Sequence, residues 1–595
     1  MSLFSCRGTA DHLPVEIVLH VRLTVNFGPV QPMTLQETGT IQDFSTSYHE
    51  ETSEMKQDLT SPPDLTQEKR LSQTRTRRPL YVELLPPCNQ ACPAGENIQA
   101  WLTLAQEKRF KAAWQKLIEE NPMPAIHGRV CYHPCESGCN RGQLDAPVSI
   151  HAVERYLGDQ AIKKEWQVKC AANPTGKRIL VIGAGPSGLS AAYHLKRMGH
   201  EVEIHEAGPM AGGLMHFGIP AYRLPRDILD AEIRRIETMG VKFVLNHKVE
   251  DVLAEKAAGR FDAVFVAIGA HLSKRIDIPA RDASKMLNAV SFLASVESGE
   301  APPLLGRRVA VYGAGNTAMD VARVAKRLGA EDATIIFRRD RANMTAHETE
   351  ANEAIAEGVK MNWLRTIREM DQAALTVEVM EIDADGALHP TGKLETLEAD
   401  SLILALGQST DTTLLNGIPG IEFQQDTVMV DEHMMTGQAG IFAGGDMVPS
   451  ERTVTIAVGH GKKAARNIDC WLRGEEYARP QKHELASFDK LHVWYFTDAA
   501  QRPQENLNLG QRRTGFEEVV HGLKKKDAVF EAKRCLSCGN CYECDGCFGA
   551  CPERAIIKLG KYKGYKIDFD KCIGCSICFE QCPCHAIEMI PEPAA

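Results

Sequence analysis

The residues best suited to chemistry are cysteines, and their spacing says which chemistry. Of the 19 cysteines, all but Cys6, Cys170 and Cys470 crowd into two stretches, Cys88 to Cys139 and Cys535 to Cys584. In the second stretch Cys541, Cys544, Cys547 and Cys551, followed by Pro552, read CxxCxxCxxxCP, and Cys572, Cys575, Cys578 and Cys582, followed by Pro583, repeat it. Soft thiolates at these intervals wrap a cubane 4Fe-4S cluster, and in two-cluster ferredoxins the fourth cysteine of each run serves the other cluster. The expected ligand sets are Cys541, Cys544 and Cys547 with Cys582, and Cys572, Cys575 and Cys578 with Cys551. A zinc ribbon would need paired CxxC groups set further apart. Cys535, Cys538 and Cys584 are left over. The first two continue the every-third-residue register backwards, and three readings stay open for them: spare thiols, ligands of an extra metal, or competitors for ligation.

Glycines mark the second kind of chemistry. Val181 to Gly188 reads VIGAGPSG, placing Gly183, Gly185 and Gly188 in GxGxxG spacing, with Pro186 and Ser187 between. The first glycine permits a tight turn, the second lets backbone N–H groups approach a pyrophosphate, and the third lets helix pack on strand. Glu206 closes the next strand, where a carboxylate can accept hydrogen bonds from ribose hydroxyls. A second loop, Gly313, Gly315, Asn316, Thr317 and Ala318, has the GxGxxA form. Its following strand ends on Arg338 and Arg339 rather than an acid, which favours NADP over NAD. Gly212 and Gly213 follow the first acidic strand, and Gly269 and Gly407 each end an apolar run. Thr436 to Asp446, with Gly445 before the acid and Thr453 opening a helix, resembles the flavin signature of disulfide-reductase-like two-dinucleotide flavoproteins. That resemblance implies that Asp446 holds the ribityl chain and that the first loop binds FAD, the second NADP or NAD.

These residues need strands to end on and helices to begin at. Arg178 to Ile182 is a buried-strand run followed by a glycine turn and an Ala-rich helix from Ser187 to Met198, and a second such unit starts at Arg307, so strands alternate with helices as parallel sheets require. Apolar residues at helical spacing from Ile98 to Leu117 predict a small helical domain between the first cysteine groups. The fold class expected is multidomain α/β: a helical Fe-S N-terminal domain, two Rossmann-like dinucleotide-binding domains with the NAD(P) domain inserted in the FAD domain, and a C-terminal bacterial ferredoxin-like α+β domain. The boundaries are 1–76, a disordered extension; 77–170, helical Fe-S; 177–300, FAD, first part; 301–400, NAD(P); 401–480, FAD, second part; 481–532, linker; and 533–595, ferredoxin-like.

The order of PPCxxxCP, GRVCxxxCxxxC, GAGPSGL, Gly212 to Pro225, GAGNTAMD and FAGGD resembles the small, NADPH-oxidising subunit of bacterial glutamate synthase and its relatives, including the N-terminal half of dihydropyrimidine dehydrogenase. The resemblance spans about residues 80 to 475. It implies that Arg223 lies near the flavin ring, the one candidate for a catalytic role. It also implies two N-terminal clusters, but the relatives' extra CxxC falls here on Leu80 and Glu83. By the same resemblance Cys92, Cys131 and Cys135 keep one cluster, with Glu154 at its fourth position. Cys88 and Cys139 belong to the lost one, replace Glu154, or are buried thiols.

The bulk numbers set the class. At 595 residues the chain exceeds one core, and its net charge of −10 argues against nucleic acid as a partner. No apolar run reaches the roughly 20 residues of a membrane span, and no secretory signal opens the chain, so a cytoplasmic location is expected. The implied route carries hydride between NAD(P)H and FAD, and single electrons between FAD, the clusters and a ferredoxin-type partner, in either direction. Lacking a large domain for substrate chemistry, the chain is expected to serve a catalytic partner such as a 2-oxoacid:ferredoxin oxidoreductase or a glutamate synthase large subunit. Two other readings stand beside it. One is a non-catalytic relay or assembly subunit, against which intact Gly313 and Gly315 speak; the other is a self-contained reductase of a small molecule.

Overall fold

The computed structural model describes residues 75–593 except 171, 275, 277, 282–284 and 299–302. The expected extension, 1–76, lies outside the described residues up to 74. Its last positions belong to the body of the fold, since Arg75 pairs with Glu592 at 2.6 Å and donates to the carbonyls of Phe569 and Cys572.

Two parallel five-stranded sheets form the middle of the molecule. The first runs Ile441–Ala443, Ala263–Val266, Arg178–Ile182, Glu201–His205, Lys242–Val244. Ile441–Ala443, Ala263–Val266 and Arg178–Ile182 are nearly continuous apolar runs, as strands covered on both faces are, while Glu201–His205 and Lys242–Val244 toward the other edge carry polar residues. The second runs Lys360–Trp363, Asp332–Phe337, Arg308–Tyr312, Ser401–Leu404, Lys285–Asn288. The edge strand Ile441–Ala443 returns to the first sheet only after the second is complete, so the second domain is an insertion.

The expected boundaries at 300/301 and 400/401 are corrected here. Lys285–Asn288 and Ser401–Leu404 both belong to the second sheet, where Ser401–Leu404 lies between Arg308–Tyr312 and Lys285–Asn288. A strand buried on both faces reads as apolar whichever sheet holds it, so periodicity cannot say where it pairs. Beside this sheet lies a smaller one, Leu388–Glu398, Ala374–Ile382, Arg365–Asp371 and Ala280–Arg281.

The N-terminal cysteines sit on a helical domain built from Ile98–Gln106, Phe110–Leu117, Pro124–Val130 and Ile150–Lys163. Asn97 caps the first of these by accepting from the Ala100 N–H, and Trp101 and Trp114 are fully buried among them. Residues 481–532, expected as a linker, are instead packed, and the tail does not begin as a separate unit at 533. Helix Lys525–Lys533 places Ala528, Val529 and Ala532 in the helical domain's core, and Arg512 reaches back to Glu357 at 3.1 Å. The weak periodicity there reflects an irregular strap whose apolar groups are spent against other elements.

The two ends of the described chain meet. Arg77–Tyr81 pairs antiparallel with Ile587–Pro591, and the Leu84 N–H donates to the Gly539 carbonyl at 3.0 Å. The tail itself carries two short helices, Gly546–Ala550 and Ile577–Glu580, and the hairpin Ile556–Lys558 with Tyr565–Ile567.

Candidate functional site

At the C-terminal end of Arg178–Ile182 the chain turns into helix Pro186–Arg197. Gly183 has φ +101°, and a Cβ there would lie 2.4 Å from the Ala267 carbonyl oxygen, so only glycine makes this turn. Gly188 is equally constrained, its Cβ position falling 2.0 Å from the Gly183 oxygen. Gly185 differs: its φ is −74° and a Cβ would meet nothing within 4 Å, so the ground in front of it is open. Pro186 takes the first helical position, where a missing N–H does no harm. The Glu206 carboxylate accepts from the Ala184 N–H at 2.7 Å and the Gly208 N–H at 2.8 Å, which clamps the loop from below.

Other expected residues converge on this loop. Gly212 and Gly213 both have positive φ, and a Cβ on Gly213 would stand 3.1 Å from the Gly185 Cα. A Cβ on Gly445 would meet Ser187 at 3.0 Å, so the Gly445–Asp446 turn lies against the start of the first helix. Asp446 has its carboxyl raised to about 6 by burial. Thr453 caps helix Val454–Arg473, its hydroxyl accepting from the Ile456 N–H at 3.2 Å. Gly269 faces open space at φ +69°. Ser187 Oγ is buried with no hydrogen-bond partner, so a polar ligand is wanted where two helix starts and an open glycine meet. These features fit a dinucleotide such as FAD.

The second loop repeats the geometry. Gly313 has φ +132°, with its Cβ position 2.2 Å from the Ala405 oxygen, while Gly315 would meet only Thr345 Oγ1 at 3.4 Å. Asn316 accepts from the His347 N–H at 2.9 Å, Thr317 is half-buried, and Ala318 is buried. Gly407, at φ +102°, follows the strand of this sheet, not of the first. Arg338 is exposed without a partner among the described residues, whereas Arg339 reaches Asn343 at 3.3 Å and Arg341 is bound to Glu348. Arg223 is not a free cation. Its guanidinium pairs with Asp320 at 2.8 Å and with Glu350, both on helices of the second domain.

The tail cysteines gather into two groups. Cys541, Cys544, Cys547 and Cys582 line one cavity, and Cys551, Cys572, Cys575 and Cys578 line another. The Ala555 and Ala586 N–H groups donate to the sulfurs of Cys551 and Cys582 at 3.2 Å, as suits anionic thiolate ligands. Cys584, left over by spacing, sits 3.8 Å from Cys582, and its hydrogen bond holds that thiol down to about 7.

With this geometry in view, comparisons place the chain. Residues 177–461 match the family model of pyridine nucleotide-disulphide oxidoreductases, 64–166 that of dihydropyrimidine dehydrogenase domain II with its 4Fe-4S cluster, and 565–588 a 4Fe-4S binding domain. The glutamate synthase (NADPH) small chain of Escherichia coli is 31% identical, the match covering 65% of this chain and 89% of that one. The chain belongs to this family. Among other relatives, the NADP(+)-dependent formate dehydrogenase subunit beta of Moorella thermoacetica is 35% identical, covering 76% of this chain and 70% of its own. The NADPH-Fe(3+) oxidoreductase subunit beta of Geobacter sulfurreducens is 32% identical, covering 76% and 75%. The protein is thus an NAD(P)H-dependent flavoprotein oxidoreductase with iron-sulfur domains at both ends. No helix among the described residues is long and apolar enough to cross a membrane.

In this glutamate synthase small-chain-like oxidoreductase the N-terminal cysteines divide into two groups. Cys92, Cys131, Cys135 and the Glu154 carboxylate lie within electrostatic reach of one another. Burial pushes Glu154 well above the ordinary carboxylate range and raises the neighbouring Glu96 to about 7, while Asn121 donates to both, at 2.7 and 2.9 Å. Cys131 also has the Thr455 hydroxyl beside it. Cys88 and Cys139 lie apart from the neighbours of the Glu154 carboxylate, Glu96 and Cys131. They line a separate cavity with Cys535 and Cys538, residues that spacing alone left without a role.

Proposed function

We propose that this chain is the electron-distributing subunit of an oxidoreductase complex. It would exchange hydride with NADP(H) at the second loop and single electrons with a partner enzyme through cysteine-held clusters. One observation carries the reading: Cys131 lies against Thr455, in the first turn of the helix that the Gly445–Asp446 turn feeds. The flavin loop and the N-terminal cysteine group therefore share one helix start.

A flavin bound there supplies the exchange between electron pairs and single electrons, which nicotinamide cannot perform. The chain's own residues hold and shield it. Gly183, Gly185 and Gly188 admit the pyrophosphate, and the start of helix Val454–Arg473 offers N–H groups where negative charge would develop. Arg338, exposed and unpaired among the described residues, suits a 2′-phosphate and supports NADP over NAD. The two tail quartets and the group Cys92, Cys131, Cys135 and Glu154 would hold one cluster each.

The relatives are themselves named as beta subunits or a small chain, which supports a partner chain for the substrate chemistry. The fused ferredoxin-like domain suits a partner that trades ferredoxin-level electrons, a 2-oxoacid:ferredoxin oxidoreductase before a glutamate synthase large subunit. The test is anaerobic purification of the full chain, followed by NADPH. Flavin bleaching with reduction of a viologen or ferredoxin is expected. A protein with full flavin and iron that passes no electrons to either acceptor would sink the reading.

A further inference from the structure

Cys88, Cys139, Cys535 and Cys538 come from distant parts of the chain and line a single cavity. The two tail quartets line cavities of their own in the same way. We propose that these four cysteines hold a further 4Fe-4S cluster, shared between the N-terminal helical domain and the segment leading into the tail.

The backbone supports this independently of the cavity. In Cys535-Leu-Ser-Cys538 the third residue, Ser537, is left-handed at φ +56°. Glu543 in Cys541-Tyr-Glu-Cys544 and Gly574 in Cys572-Ile-Gly-Cys575 hold the same place and conformation, at φ +59° and +71°. A left-handed serine is strained, and such strain is kept where a site demands the shape. It turns the Ser537 N–H onto the Cys535 sulfur at 3.4 Å, as the His133 N–H is turned onto Cys131 at 3.4 Å. Asn140 donates to Cys538 Sγ at 3.4 Å, and buried Arg141 lines the same cavity. The loop is held from both sides, by Gln99 on Ser537 at 2.6 Å and by Asn540 on the Leu84 carbonyl at 3.0 Å.

The site also explains how the two ends of the chain would conduct as one wire. Cys88 and Cys92, like Cys135 and Cys139, stand four residues apart, at most about 14 Å of chain. Cys538 precedes Cys541 by three residues, at most about 10 Å of chain. The proposed cluster thus adjoins both the group beside Thr455 and the first tail quartet. The CxxC that Leu80 and Glu83 have displaced is supplied from Cys535 and Cys538 instead, and pairing of the chain ends delivers it.

The test compares iron, acid-labile sulfide, zinc and flavin per chain in anaerobically purified wild type, C535S/C538S and C88S, with C170S as control. Both site variants should lose about four irons relative to wild type while keeping flavin, because a cubane holds four. One set of low-temperature EPR lines from the reduced protein should vanish in both. The difference of four does not depend on how many other clusters are filled, so it stands or falls apart from the proposed electron route. Unchanged iron in either variant, or about one zinc per wild-type chain, overturns the proposal. Should the double variant fail to accumulate, the C88S loss and the wild-type zinc content decide it.

Discussion

Arg223 and Asp320 face each other at 2.8 Å across the boundary between the two nucleotide domains, both nearly buried. Glu350 takes the other side of the guanidinium, and Tyr132, next to Cys131, lies beside it. The Tyr132 ring stacks on His347 with centroids 3.5 Å apart, so the cysteine domain, the flavin domain and the inserted domain meet at one point. Arg223 is therefore a positioning residue between domains. Removing one partner of a buried pair leaves an uncompensated charge, which costs about 3–5 kcal/mol. R223A should lower the denaturant midpoint accordingly and slow flavin bleaching by NADPH. R223K should recover most of the stability, and equal midpoints for R223A and wild type would refute the assignment.

Gly185 offers a test of the flavin cradle that spares the fold. Its backbone is extended at φ −74° and ψ −179°, and a methyl group there meets no protein atom within 4 Å. G185A should leave the apoprotein within about 1 kcal/mol of wild type, since alanine suits such a backbone. The methyl would occupy ground the pyrophosphate needs, so flavin content, read from absorbance after gel filtration, should fall to near zero. Retained flavin would place the cofactor elsewhere.

On the proposed reading, Arg338, with Arg339 beside it in sequence, would read the 2′-phosphate of NADP. Hydrogen bonds to a charged group contribute about 1.5–3 kcal/mol, or roughly 10–100-fold in affinity. R338A/R339A should raise KM for NADPH by about that factor and leave NADH nearly unchanged. Steady-state rates with both nucleotides decide it; an equal rise for both would mean that neither arginine reads the 2′-phosphate.

Asp446 makes the apoprotein pH-sensitive in a defined direction. Burial raises its carboxyl from the ordinary 3.8 to about 6, so ionisation is disfavoured in the fold relative to the unfolded chain. A raised acid destabilises fully above the folded value and not at all below the unfolded one. The penalty at pH 7 is of order 3 kcal/mol. Flavin-free D446N should therefore be more stable than flavin-free wild type at pH 7, with the gain shrinking between about pH 6 and 4. Denaturation of both apoproteins across that window checks it, and a pH-independent gain would contradict the cause given.

What the sequence determined by itself is local. Gly183 and Gly313 could be recognised because a tight strand-to-helix turn admits no Cβ, and the ferredoxin-like cysteines because a cubane imposes its own interval on the chain. The family followed from the order of such motifs. Tertiary structure decided what depends on pairing over distance. Ser401–Leu404 is equally apolar in either sheet, and only its hydrogen-bonded neighbours assign it to the second. Arg223 could pass for a surface arginine in the sequence, and only the fold closes Asp320 and Glu350 around it. Cys88 and Cys535 are separated by most of the chain, and no spacing rule spans such a loop. They meet because strand Arg77–Tyr81 pairs with Ile587–Pro591 and helix Lys525–Lys533 buries its apolar face in the helical domain.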